Sequence, residues 1–69
     1  MVGGKAHGRS EMRYRIIFET VSGPIGHPWL KPNDLDGAKN HATSYLAIHK
    51  ALSVRVEDEN GQVLFMQDA

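Results

Sequence analysis

The chain has 69 residues, eight Lys plus Arg against eight Asp plus Glu, and no cysteine. That length excludes two ordinary domains, and a domain so small buries only roughly 60% of the surface its unfolded chain exposes. Disulfides and cysteine-based zinc sites are closed to it, so self-association is the expected route to further apolar burial.

Residues 1–11 hold three glycines and show no hydrophobic periodicity. They are expected to form a disordered tail, followed by a single domain over 12–69. Charge is segregated along the chain. Lys5, Arg9, Arg13 and Arg15 stand near the start, and Glu57, Asp58, Glu59 and Asp68 near the end. The longest apolar runs, Ile16–Phe18 and Val63–Met66, fall far short of the about 20 residues a membrane-spanning helix needs. No apolar h-region precedes Arg15, so no secretory signal is read there and the cytoplasm is the expected location.

The segment Arg13–Val21, RYRIIFETV, is dominated by aromatic and β-branched residues. At period two, Tyr14, Ile16, Phe18 and Thr20 share one strand face, and Ile17 and Val21 lie on the other with Arg13, Arg15 and Glu19. Ser22–Asn33, SGPIGHPWLKPN, follows with three prolines and two glycines. These exclude a regular helix or a central strand, so the stretch reads as a loop with Ile25, Trp29 and Leu30 as anchors.

Asp34–Ala51 carries Leu35, Ala38, Ala42, Tyr45, Leu46 and His49 at three-and-four spacing, extended by Leu52. The spacing predicts an amphipathic helix of about four turns, N-capped by Asp34 or Asp36. Gly37 should weaken its first turn by about 1 kcal/mol relative to Ala. A hairpin closes the chain, with Val54 and Val56 alternating with Arg55 and Glu57 before Asp58–Gly61 turns into Val63–Met66. A two-residue Asn60-Gly61 loop would set Val56 opposite Phe65; a type I turn with Gly61 left-handed and a bulge would set it opposite Leu64. The sequence leaves both registers open.

The predicted architecture is α+β: a β-α-β-β order in which a three-stranded sheet packs on one helix. Strand order 1-3-2 is favoured because four successive apolar residues suit a central strand, with 1-2-3 as the alternative. One helix covers one face, so Ile17, Val21 and alternate residues of Val63–Met66 are expected to point away from it and seek a partner. A homodimer through the open sheet face or an edge strand follows, and Ile17, Val21, Leu64 and Met66 are its candidate contact residues.

The strings RYRIIFETVSG, DLDGA and SVRVEDENGQVLF together resemble a group of short uncharacterised bacterial proteins, the DUF6894-like family, over Met12–Phe65. The resemblance implies a β-α-β-β fold and no activity.

Few residues suggest chemistry. The glycines of SGPIG lack the G-K-[ST] of a phosphate loop, no G-x-S-x-G occurs, and there is no thiol nucleophile. The strand order is similar to that of small tautomerases with an N-terminal proline base, but residue 2 is Val2. No catalytic residue and no cofactor are therefore expected. His41 and His49 are eight residues apart, about 12 Å along a helix, too far to share a metal ion within one chain. His27-Pro28-Trp29 offers either a loop anchor or a contact for a protein partner, and His27 and Trp29 join the contact candidates. The basic arm of Lys5, Arg9, Arg13 and Arg15 could follow phosphates, which makes a nucleic-acid accessory role the alternative. With the charge balanced overall, a non-enzymatic, self-associating interaction module is the first expectation.

Overall fold

A computed structural model describes residues 11–69, so the expected tail, Glu11 apart, lies outside the described residues. Five elements follow one another: β1 (Tyr14–Thr20), β2 (Gly23–Pro28), α1 (Leu35–Tyr45), β3 (Ser53–Asp58) and β4 (Val63–Asp68). The sheet has four strands in the order β2-β1-β3-β4, with every neighbouring pair antiparallel. The expected three-stranded β-α-β-β arrangement is thereby corrected to β-β-α-β-β: the favoured order 1-3-2 does not occur, and the alternative 1-2-3 survives only as the neighbour order β1-β3-β4, with its first pair antiparallel and β2 added outside it.

The extra strand comes from the proline-rich stretch. A Val21-Ser22 turn reverses the chain. Thr20 Oγ1 accepts from the Ser22 amide at 3.1 Å and donates to the Gly23 carbonyl at 2.7 Å, and Gly23 supplies the positive φ of 119°. Proline is excluded from a central strand but not from an edge, and β2 is an edge. Its insertion also reverses the direction in which the chain enters α1. The strand after the helix therefore returns antiparallel to β1, and the β1–β3 pair needs no parallel crossover between them.

Asp34 caps α1, its side chain accepting from the Gly37 amide at 3.1 Å. Glycine at position 37 leaves room for this cap, because a Cβ there would overlap the Asp34 carboxylate and displace it. Regular α-helix ends at Tyr45, one turn short of expectation, but the chain keeps turning. The Lys50 amide donates to the Ala47 carbonyl and the Ala51 amide to the Leu46 carbonyl, at 3.0 and 3.1 Å, while Lys50 takes φ 55°. These two bonds and the left-handed residue form a Schellman cap. Buried Leu46 and Ala51 occupy the positions whose apolar contact usually accompanies it. Leu52, beyond the cap, is exposed rather than part of the helix face.

The core lies between α1 and the sheet: Ile16, Phe18, Val54 and Val56 below, Ala38, Ala42 and Leu46 above. Alanines on the helix bring its backbone close to the sheet, and partly buried Tyr14, Trp29, Leu35 and Phe65 fill the margins.

The final hairpin combines features of both predicted registers. At its tip, Gly61 has φ 83° and its amide donates to the Asp58 carbonyl at 3.1 Å, a type I turn with a left-handed glycine. Asp58 Oδ1 accepts from the Asn60 and Gln62 amides, each at 2.9 Å. Yet the register shifts between Glu57↔Val63 and Val56↔Phe65, which leaves Leu64 without a partner as a bulge. The bulge returns Phe65 and Gln67 to the helix side, where Thr43 Oγ1 donates to Gln67 Oε1 at 3.1 Å.

The face opposite the helix also departs from expectation. Arg55 donates from Nη1 to Glu19 Oε2 and from Nε to Glu57 Oε2, both at 2.8 Å. Ile17, between its cross-strand partners Gly26 and Arg55, is only 8% exposed. The expected open apolar face is thus a charged network beside a covered Ile17, with Met66 left exposed at its β4 margin, and the Trp29 segment packs on the helix side.

Candidate functional site: a free sheet edge and an imidazole-lined cavity

The two sheet edges differ in what they offer. Across β1 and β2 the Trp29 amide donates to the Tyr14 carbonyl at 2.9 Å. Alternation along the antiparallel ladder then turns Ile25 and His27 toward β1, and aims the backbone nitrogens at positions 24, 26 and 28 outward. Those positions are Pro24, Gly26 and Pro28, so this edge offers one amide donor where an unmodified strand offers three. Prolines of this kind guard an edge against pairing.

At the opposite edge, the Ala69 amide donates to the Leu52 carbonyl at 3.0 Å. By the same alternation Gln67 and Phe65 bond to β3, and the amides and carbonyls of Met66 and Asp68 face outward. No proline interrupts β4. Met66 is 63% exposed on the charged-face side, and Val63 is exposed near the turn.

A cavity of about 460 Å³ opens at the other end of the sheet, between β2 with its following loop and the C-terminal half of α1. Three imidazoles meet there. His27 on β2 lies 5.4 Å from His49 and 6.4 Å from His41, centroid to centroid. His41 stacks on Tyr45 at 4.2 Å and faces Trp29 at 5.3 Å. Ile16 closes the inner end, and Leu30 and Lys31 stand at the mouth. Trp29 is fixed in its wall because its indole Nε1 donates to Asp34 Oδ2 at 3.3 Å. The helix-capping carboxylate therefore also positions the cavity.

Burial, and then the nearness of His27 and His49, holds the His41 imidazole below its ordinary pKa. His27 Nε2 is the one buried side-chain nitrogen or oxygen among the described residues without a hydrogen-bond partner. Among those residues no three His or carboxylate groups converge on a point that would hold a metal ion.

The sequence candidates separate accordingly. His27 and Trp29 lie together in the cavity wall, and Trp29 also packs on the core. Leu64 and Met66 lie on the free edge strand, Ile17 is covered, and Val21 sits in the exposed β1–β2 turn. Arg13 bonds Glu11 and the Leu30 carbonyl, and Arg15 is exposed at the start of β1. Lys5 and Arg9 lie outside the described residues. In the sequence His41 and His49 figure only as a helix pair and Leu30 only as a loop anchor; what brings them together with Tyr45 is β2, which delivers His27 beside the two imidazoles. No family model, curated protein or solved structure matches the chain. No helix among the described residues is long and apolar enough to cross a membrane.

Proposed function

We propose that the protein is a non-enzymatic interaction module that pairs with a second copy of itself along the free edge of β4. The supporting observation is the contrast between the edges: Pro24 and Pro28 block the outward amides of β2, whereas Met66 and Asp68 leave theirs open. An antiparallel pair about a two-fold axis normal to the sheet gives one eight-stranded sheet with both helices on the same side. It keeps Asp68 away from its own copy, whereas a parallel in-register pair sets the two carboxylates side by side.

Pairing adds roughly four backbone hydrogen bonds of about 0.5–1.5 kcal/mol each and buries two methionines at about 1.5–3 kcal/mol each. Association costs about 4–15 kcal/mol. At the favourable end of these ranges the balance reaches about 8 kcal/mol, a dissociation constant of roughly micromolar, so concentrations from micromolar upward are the range to be sampled. Sedimentation equilibrium should show the mass rising from 7.7 kDa toward twice that value over this range. Met66→Lys should hold it at the lower value with an unchanged circular dichroism spectrum. Hydrogen exchange at the Met66 and Asp68 amides should slow as concentration rises. A mass fixed at the monomer value, or a dimer in which both amides exchange as freely as in the monomer, overturns the reading.

A further inference from the structure

The cavity lies on the β2 side of the sheet, away from β4, and its walls have a chemistry of their own. Its volume of about 460 Å³ falls within the range of small-molecule sites, roughly 300–1,000 Å³. Trp29 and the stacked His41–Tyr45 pair contribute adjoining π surfaces, the Trp29 and His41 rings 5.3 Å apart and inclined at 59°, and such a lining favours a planar ring over a branched aliphatic group. The charged and titratable groups facing the space are Lys31 from the loop, His27 from β2, and His41, Tyr45 and His49 from the helical segment. No carboxylate lines it, and the Asp34 carboxylate beside Trp29 is engaged by the indole nitrogen and the Gly37 amide.

From this we infer that the cavity binds a small planar aromatic carboxylate, its ring beside Trp29 and the His41–Tyr45 stack and its charge toward Lys31 and the imidazoles. A cationic ligand would meet Lys31 and gain no ion pair in the lining. A neutral aromatic would fill the space but leave the one-signed lining without a counter-charge. A carboxylate also supplies an acceptor for His27, whose Nε2 has no partner, after a turn of its ring. Bringing an anion to imidazoles favours their protonated form, so binding should tighten as pH falls through the histidine range.

Trp29 is the only tryptophan, so its indole N–H resonance reports on the cavity directly. The full chain is titrated with 2-naphthoate, its neutral isostere 2-naphthamide and the non-aromatic cyclohexanecarboxylate, each at pH 6 and pH 8. The expected result is a saturable shift of the Trp29 and His41 signals by 2-naphthoate. At pH 6 it should bind about tenfold more tightly than 2-naphthamide, the scale of one charge-assisted hydrogen bond. Affinity should be lower at pH 8, and weaker for the non-aromatic acid. Lys31→Gln, a change at an exposed position, should weaken 2-naphthoate several-fold and leave 2-naphthamide unaffected. Equal affinities for acid and amide, binding that tightens with rising pH, or no saturable shift at millimolar 2-naphthoate overturns the inference. None of these outcomes depends on whether β4 pairs with a second copy.

Discussion

Replacing Gly37 by Ala tests the link between helix cap and cavity wall. Helix propensity alone makes the substitution stabilising by about 1 kcal/mol. The structure reverses the sign. A Cβ at position 37 overlaps the Asp34 carboxylate, which must then leave both the Gly37 amide and the Trp29 indole. Loss of the cap costs about 1 kcal/mol, and loss of the indole's partner about another 1 kcal/mol. Gly37→Ala should therefore destabilise by about 1 kcal/mol net, a fall of roughly 4–8 °C in Tm for a domain of this size. In the Asp34→Ala background there is no carboxylate to displace, and the same change should stabilise by about 1 kcal/mol. Urea unfolding of the four proteins, followed by Trp29 fluorescence and circular dichroism, should give a coupling of about 2 kcal/mol. If Gly37→Ala stabilises equally in both backgrounds, Asp34 does not tie the loop to the helix.

Lys50 takes φ 55° at the Schellman position, where a side chain is strained and glycine is not. Lys50→Gly should stabilise by about 0.5–1 kcal/mol, read as a higher urea midpoint with unchanged slope. Because the folded state holds the His41 pKa below its ordinary value, the unfolded chain binds the proton more readily. That contribution is complete above pH about 6.5, the unfolded imidazole value, and stability is lost as pH falls below it. The urea midpoint should drop between pH 7 and pH 5.5, and His41→Gln should flatten the drop. A midpoint constant over that interval would show that His41 is not crowded by its neighbours.

The elements with strong local signals were legible. Alternation places β1 and the hairpin strands, and three-and-four spacing places α1, with the cap narrowed to Asp34 or Asp36 and the structure selecting Asp34. What escaped was β2, because Pro24 and Pro28 mask a period-two pattern: Ile25, His27 and Trp29 alternate with Pro24, Gly26 and Pro28. Missing that strand had two consequences. Without it the sheet is one strand too narrow, and His41 and His49 have no third imidazole between them, since His27 reads as part of a loop. The charged network of Arg55, Glu19 and Glu57 was written in the alternation of both strands, but its closure over Ile17 depends on β1 and β3 being neighbours. The Leu64 bulge depends on balance at a distance, because Phe65 reaches the core only if the turn's own register is undone within three residues of Gly61.

Strand order finally determines how the two proposed sites relate. In the sequence β2-β1-β3-β4 the cavity belongs to the first strand and the free edge to the last. A pair joined at β4 therefore carries its two cavities at the far ends of an eight-stranded sheet, with both openings on the helix side. No residue lining the cavity lies on β4, so a ligand there contacts the same groups in the single chain and in the pair. A ligand shifts an equilibrium only by its difference in affinity for the two states. Coupling between cavity and edge would have to pass through β1 and β3, whose facing residues Ile16, Phe18, Val54 and Val56 are fully packed beneath α1. Because that packed layer separates the two proposed sites and they share no residue, ligand binding and self-pairing should proceed independently, with the same 2-naphthoate affinity for the single chain and the pair.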